Sequence, residues 1–148
     1  MAATARAGKD PPARAACRWV TIARSAKRHR AGHTEDMQKM SLQALAREQL
    51  ELATAASSGR SARTVWGGHE HVLRQTLIAL TANSSMSEHE NPGEATLQVM
   101  TGRIRLDADG NQWEGRQGDL LFMPPGRHSL VALEAAVVLL TVAKVDRG

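Results

Sequence analysis

His89-Glu90-Asn91-Pro92-Gly93-Glu94-Ala95-Thr96-Leu97-Gln98-Val99-Met100-Thr101-Gly102 and, further on, Gly118-Asp119-Leu120-Leu121-Phe122-Met123-Pro124-Pro125-Gly126-Arg127-His128 decide the fold. Each is a short apolar run fenced by Gly or Pro-Gly, the pattern of a β-strand between tight turns. Each also carries a histidine at one end, so two imidazoles belong to different strands of one scaffold.

Outward from this pair, the same pattern repeats. Strands are predicted over Ala62–Trp66, Val72–Thr81, Ser87–Asn91, Ala95–Met100, Arg103–Asp107, Gln112–Glu114, Leu120–Met123, Ser129–Ala132 and Ala136–Val142. Ala108-Asp109-Gly110-Asn111 is a hairpin signal, because Gly and Asn accept the positive φ of tight hairpins. Eight or nine short strands read as an all-β sandwich or jelly-roll barrel. Trp66, Trp113, Leu97, Val99, Ile104, Leu120, Phe122, Val137 and Leu139 are the expected core or barrel lining.

Before the strands the period changes. Ser41 is a good N-cap, and Leu42, Leu45, Gln49 and Leu52 follow at helical spacing, supported by Ala46, Ala53 and Ala56. Ser57-Ser58-Gly59 closes that helix, with Gly59 as the left-handed stop. Three parts result: a leader over 1–36, a helical segment over 37–59 and a β-domain over 61–145.

The formal charge of +4 divides unevenly along the 148 residues. Residues 1–36 hold eight Lys/Arg against Asp10, Glu35 and Asp36, whereas 37–148 hold eleven against twelve Asp/Glu, a net of −1. The β-domain therefore lacks the basic footprint of a nucleic-acid binder. With no Tyr and one Phe, it also lacks base-stacking aromatics. The Ala/Arg-rich leader reads as disordered. It also reads as a basic arm for nucleic acid or a membrane surface, or as translated sequence upstream of a start at Met37 or Met40. Nothing in it resembles a signal peptide or membrane span. The single cysteine, Cys17, excludes an intrachain disulfide and suits a reducing, cytoplasmic setting.

The two quoted segments resemble the paired motifs of the cupin family of small β-barrels. In the first, Asn83 stands for the turn glycine, His89 for the first His, Asn91 for the second, Ala95 for the Glu or Gln ligand, and Gly102 closes. In the second, Gly118, Pro124 and Gly126 match, but His128 follows Gly126 one residue early. Such a slip turns a strand side chain to the opposite face unless a bulge absorbs it. The resemblance spans about residues 61–145. It implies a cupin-type double-stranded β-helix, preceded here by the one α-helix and the leader, in a small cytoplasmic bacterial protein of the conserved-barrel (cupin 2) type.

Its ligand set is degenerate. By resemblance, His89 and His128 are candidate ligands for one divalent transition metal (Fe, Mn, Ni, Cu or Zn), with Glu94 or Gln98 completing the set. A two-His, one-carboxylate triad suffices for ferrous chemistry. Without metal, the two are hydrogen-bonded barrel histidines. Asn91, His71 and Arg74 are candidate pocket residues. His69-Glu70-His71 places two imidazoles on one strand face, although the family has no ligands there. Either Arg74 or Gln75 must face inward, and a buried Arg needs an anionic partner, Glu88 or Glu114 being the candidates.

The resulting expectation is a small-molecule ligand held in the barrel, a sensor or accessory role, a homodimer, and neither nucleic acid nor membrane as partner of the barrel. The alternative is a metal-dependent dioxygenase, isomerase or lyase acting on a small oxygenated substrate. No Gly-x-Ser-x-Gly elbow, phosphate loop, Cys-x-x-Cys or Gly-x-Gly-x-x-Gly points to other chemistry.

Overall fold

The computed structural model describes residues 37–91 and 93–145. The leader, 1–36, lies outside the described residues. The elements run α1 (Leu42–Ala55), β1 (Arg60–Trp66), β2 (Leu73–Leu80), β3 (Ser85–Glu90), β4 (Gly93–Thr101), β5 (Arg103–Ala108), β6 (Asn111–Arg116), β7 (Leu120–Phe122), β8 (Arg127–Ala132) and β9 (Ala136–Lys144).

Two antiparallel sheets face each other, one ordered β1-β2-β9-β4-β7 and the other β3-β8-β5-β6. Between them lies a core that includes Ile78, Leu80, Leu97, Val99, Ile104 and Leu130. Each such side chain withdrawn from water stabilises the fold by roughly 1.5–3 kcal/mol. The five-stranded sheet is buried on its second face too: Leu77, Ala79, Val137 and Leu139 pack under α1. That is why 77–80 and 136–139 read as unbroken apolar runs and not as alternation.

Ser41 caps α1 as expected, its hydroxyl accepting from the Ala44 N–H at 3.2 Å. The buried stripe is Ala46, Gln49 and Ala53, while Leu52 is half exposed. Small side chains let the helix sit close on the sheet, which turns the larger Leu52 outward. Buried Gln49 is satisfied by the Ser61 hydroxyl, 2.6 Å from its amide oxygen. The helix ends at Ala55, ahead of Gly59, which is left-handed (φ 66°) in the turn into β1.

Asn83 has a φ of 65°, the left-handed turn for which glycine is the usual residue. Asp109 and Gly110, at 49° and 76°, close β5 on β6 as a two-residue hairpin with both central φ positive.

Four of the expected core residues are exposed: Trp66 at 48%, Trp113 at 44%, Leu120 at 53% and Phe122 at 79%. β1 and β7 are the edges of the larger sheet and β6 is an edge of the smaller one. In β7 it is Leu121, between the two exposed residues, that packs on the core. No helix among the described residues is long and apolar enough to cross a membrane.

Candidate functional site

β3 and β8 bring the two histidines together as cross-strand partners. On β8, His128 shares the inward phase of Leu130 and Ala132, all three buried. The ladder with β5, in which His128 faces Ala108, fixes that phase. The shortened turn before β8 therefore does not rotate the ring out of the barrel.

β3 reaches the same place irregularly. Met86 pairs with Leu130 and His89 with His128, so three steps on β3 oppose two on β8. This bulge keeps both Met86 and His89 on the inner face, which plain alternation would forbid.

The two rings meet edge to face with centroids 4.6 Å apart. Nδ1 of His89 lies 2.8 Å from the Ser87 carbonyl, and Nδ1 of His128 lies 3.2 Å from that of Gly126. A carbonyl only accepts, so in each neutral ring Nδ1 carries the proton and Nε2 is a bare lone pair. Gly126 presents its carbonyl from a φ of 92°, which favours glycine there.

His128 is 1% exposed, and its Nε2 has no hydrogen-bond partner. Burial, above all, pushes its pKa below the ordinary histidine value; neighbouring His89 acts in the same direction, and the Gly126 carbonyl opposes.

Above and around this pair the space divides in two. An inner cavity of about 10 Å³ is bounded by Met86, His89, Asn91, Met123 and His128 with apolar neighbours. A cleft of about 700 Å³ opens at the barrel mouth between Glu90, Asn91, Glu94, Met123, Pro124 and Pro125. Asn91 and Met123 border both.

The remaining candidates scatter. Glu94 is exposed and lines the cleft, in the phase opposite to the inward Ala95. Gln98 is exposed, because it alternates with buried Leu97 and Val99 and so turns away from the histidine pair. His71 is in the β1–β2 loop, its ring 5.1 Å from that of Trp66, with its Nε2 3.6 Å from Glu70. Arg74, rather than Gln75, has the inward phase, in register with Val142. Its expected partners are engaged elsewhere, Glu88 with Arg127 and Glu114 with Arg103. Gln75 bonds to Thr141 on the outer face at 3.2 Å. Neither His71 nor Arg74 borders the cleft or the inner cavity.

The divalent ion implied by the cupin resemblance fits this donor set poorly. Two bare imidazole nitrogens are present, but among the described residues no three His, Cys, Asp or Glu side chains converge. Where the family places a carboxylate or amide on β4, this chain presents the methyl of Ala95. Met86 and Met123 were not anticipated at the site. The bulge conceals the phase of Met86, and Met123 reads from sequence only as the end of a strand.

Comparison with solved structures supports the architecture. A conserved protein of unknown function from Streptococcus pyogenes is 26% identical, over 62% of this chain and 79% of that one, with a TM-score of 0.55. A cupin superfamily protein from Desulfitobacterium hafniense is 15% identical, over 64% and 88%, also with a TM-score of 0.55. A cupin 2 conserved barrel domain protein from Salinispora arenicola is 23% identical, over 71% and 87%, with a TM-score of 0.53. No protein-family model matches the chain, and no curated protein matches it in sequence. With its two facing sheets, the chain has the fold of the cupin barrels from Desulfitobacterium hafniense and Salinispora arenicola.

Proposed function

We propose that this protein binds a small cationic molecule at the mouth of its barrel and acts as a sensor or accessory, without catalysing a reaction. The division of space carries this reading. A cavity of about 10 Å³ holds about one water, so a ligand has no room inside the barrel. The cleft of about 700 Å³ falls within the usual size of ligand pockets.

The cleft's chemistry selects charge. Glu90 and Glu94 border it, and among the described residues no Lys, Arg or His does. Neither carboxylate forms an ion pair among the described residues. An ammonium group would sit between them, a short carbon skeleton against Met123, Pro124 and Pro125, and a hydroxyl or N–H on the Asn91 amide. The metal-dependent enzyme reading needs a further ligand beside the two histidines, and the methyl of Ala95 does not supply one.

Short primary amines, polyols and carboxylic acids, tested by thermal shift and titration calorimetry, discriminate. Amines are expected to bind, more weakly as salt rises, and the Glu90→Gln/Glu94→Gln variant to lose that binding while keeping its melting temperature. Preferential binding of acids, or amine binding unchanged in the variant, overturns the reading.

A further inference from the structure

At the seam between β6 and β7, we propose that Trp113, Phe122 and Asp119 form a second binding site, for an organic cation of the quaternary ammonium type. β6 ends the smaller sheet and β7 the larger one. Trp113 lies directly opposite Leu106 across the β5–β6 ladder, so the two side chains share a face of the sheet. Leu106 is 1% exposed in the core, whereas Trp113, in the same inward phase, is 44% exposed. The cause is the length of β7, three residues, which leaves the facing sheet too short to cover the indole.

The seam is pinched at one end and open at the other. A Cβ on Gly115 would lie 2.7 Å from Leu121 Cδ1 and 3.1 Å from Val99 Cγ2, so the missing side chain lets β6 close on the core there. Toward Trp113 a slot of about 400 Å³ remains, walled further by Leu106, Leu120, Leu121, Phe122 and Pro124. That volume suits a small molecule.

Chemistry singles out the occupant. The described residues contain three aromatic side chains besides histidine, and two of them, Trp113 and Phe122, line this one slot. Neither stacks on another ring among the described residues, so their electron-rich faces are open to a cation. Among the described residues the charged groups lining the slot are Glu114 and Asp119. Arg103 neutralises Glu114. Asp119 accepts from the Arg116 N–H at 2.9 Å and has no ion-pair partner among the described residues. One uncompensated negative charge thus lies beside two aromatic side chains. A primary ammonium would strand its N–H donors against this apolar wall, whereas a fully alkylated nitrogen has none to satisfy. Pro124 borders both slot and cleft, but the site uses neither Glu90 nor Glu94 and does not depend on the amine reading of the cleft.

The full chain is titrated with tetramethylammonium and benzyltrimethylammonium, and with tert-butanol as an uncharged solute of similar size, by calorimetry and tryptophan fluorescence. Both cations are expected to bind and to change the fluorescence, and tert-butanol to do neither. Trp113→Leu should weaken binding on the order of tenfold and Phe122→Leu several-fold. Asp119→Asn, which keeps the acceptor for the Arg116 N–H, should weaken it about threefold. The fluorescence response should survive in Trp66→Phe and in Glu90→Gln/Glu94→Gln, and vanish in Trp113→Leu, with melting temperatures unchanged. If Trp113→Leu does not fold, Phe122→Leu and Asp119→Asn carry the test. Equal binding of tert-butanol, no binding of either cation, loss of binding in the glutamate variant but not in the slot variants, or a concentration-dependent dimer that shields Trp113 overturns the proposal. None of these outcomes bears on the binding of primary amines in the cleft.

Discussion

Replacing His128 by leucine should make the metal-free protein more stable, not less. The ring is buried with Nε2 unpartnered, and an unsatisfied buried polar group costs about 1–3 kcal/mol. The substitution also forfeits the Nδ1 bond to the Gly126 carbonyl, about 0.5–1.5 kcal/mol. Leucine fills a similar volume among Ile78, Leu97, Leu130 and Leu140, so little cavity results. The balance is a gain of about 1 kcal/mol, which for a folded region on the order of 100 residues raises the melting temperature by roughly 4 °C. The pH dependence has a definite sign. Burial holds the folded pKa of His128 below the ordinary 6.5. The unfolded chain therefore takes up this proton first as pH falls below 6.5, and stability declines until the folded pKa is reached. His128→Leu removes that component of the decline. Calorimetry in the presence of chelator, at about pH 8 and again near pH 5.5, on either side of the unperturbed value, measures both effects. A melting temperature several degrees lower in the variant at the higher pH would show that Nε2 has a partner in solution, and the reasoning about the inner cavity would fail.

Ala95→Glu restores a carboxylate to the inward phase of β4, beside Met123, whose N–H donates to the Ala95 carbonyl. It should raise affinity for Zn(II) or Co(II) by at least about tenfold, equivalent to about 1.4 kcal/mol, in direct titration; an unchanged affinity would mean that position 95 does not face the histidines. On β7 the burial order gives a paired expectation. Phe122→Ser should cost less than about 0.5 kcal/mol and Leu121→Ala roughly 2 kcal/mol in urea denaturation. The reverse order would reject the exposure assigned to this edge.

Strand positions were legible in the sequence because turn chemistry is local: Asn83, Asp109-Gly110 and Gly126 mark corners by backbone preference alone. Gln98 was expected as a metal ligand, although period-2 alternation with the core residues Leu97 and Val99 turns it outward. What the sequence concealed depends on partners distant along the chain. The inward phase of His128 is set by Ala108 across the ladder, and that of His89 by a bulge opposite β8. Trp113, Leu120 and Phe122 look like core residues until topology leaves β6 and β7 at the sheet edges. The helix misled in a related way, because the closeness of its packing favoured Ala46 and Ala53 over Leu52.

Because β8 takes its phase from β5, the Pro124-Pro125-Gly126 corner is uncoupled from the orientation of His128. Residues can be gained or lost there without rotating the imidazole, so a fixed spacing rule reads such a change as a broken site when the interior is intact. Corner length then becomes a free variable for reshaping the rim against new ligands, while the chamber below keeps its own chemistry.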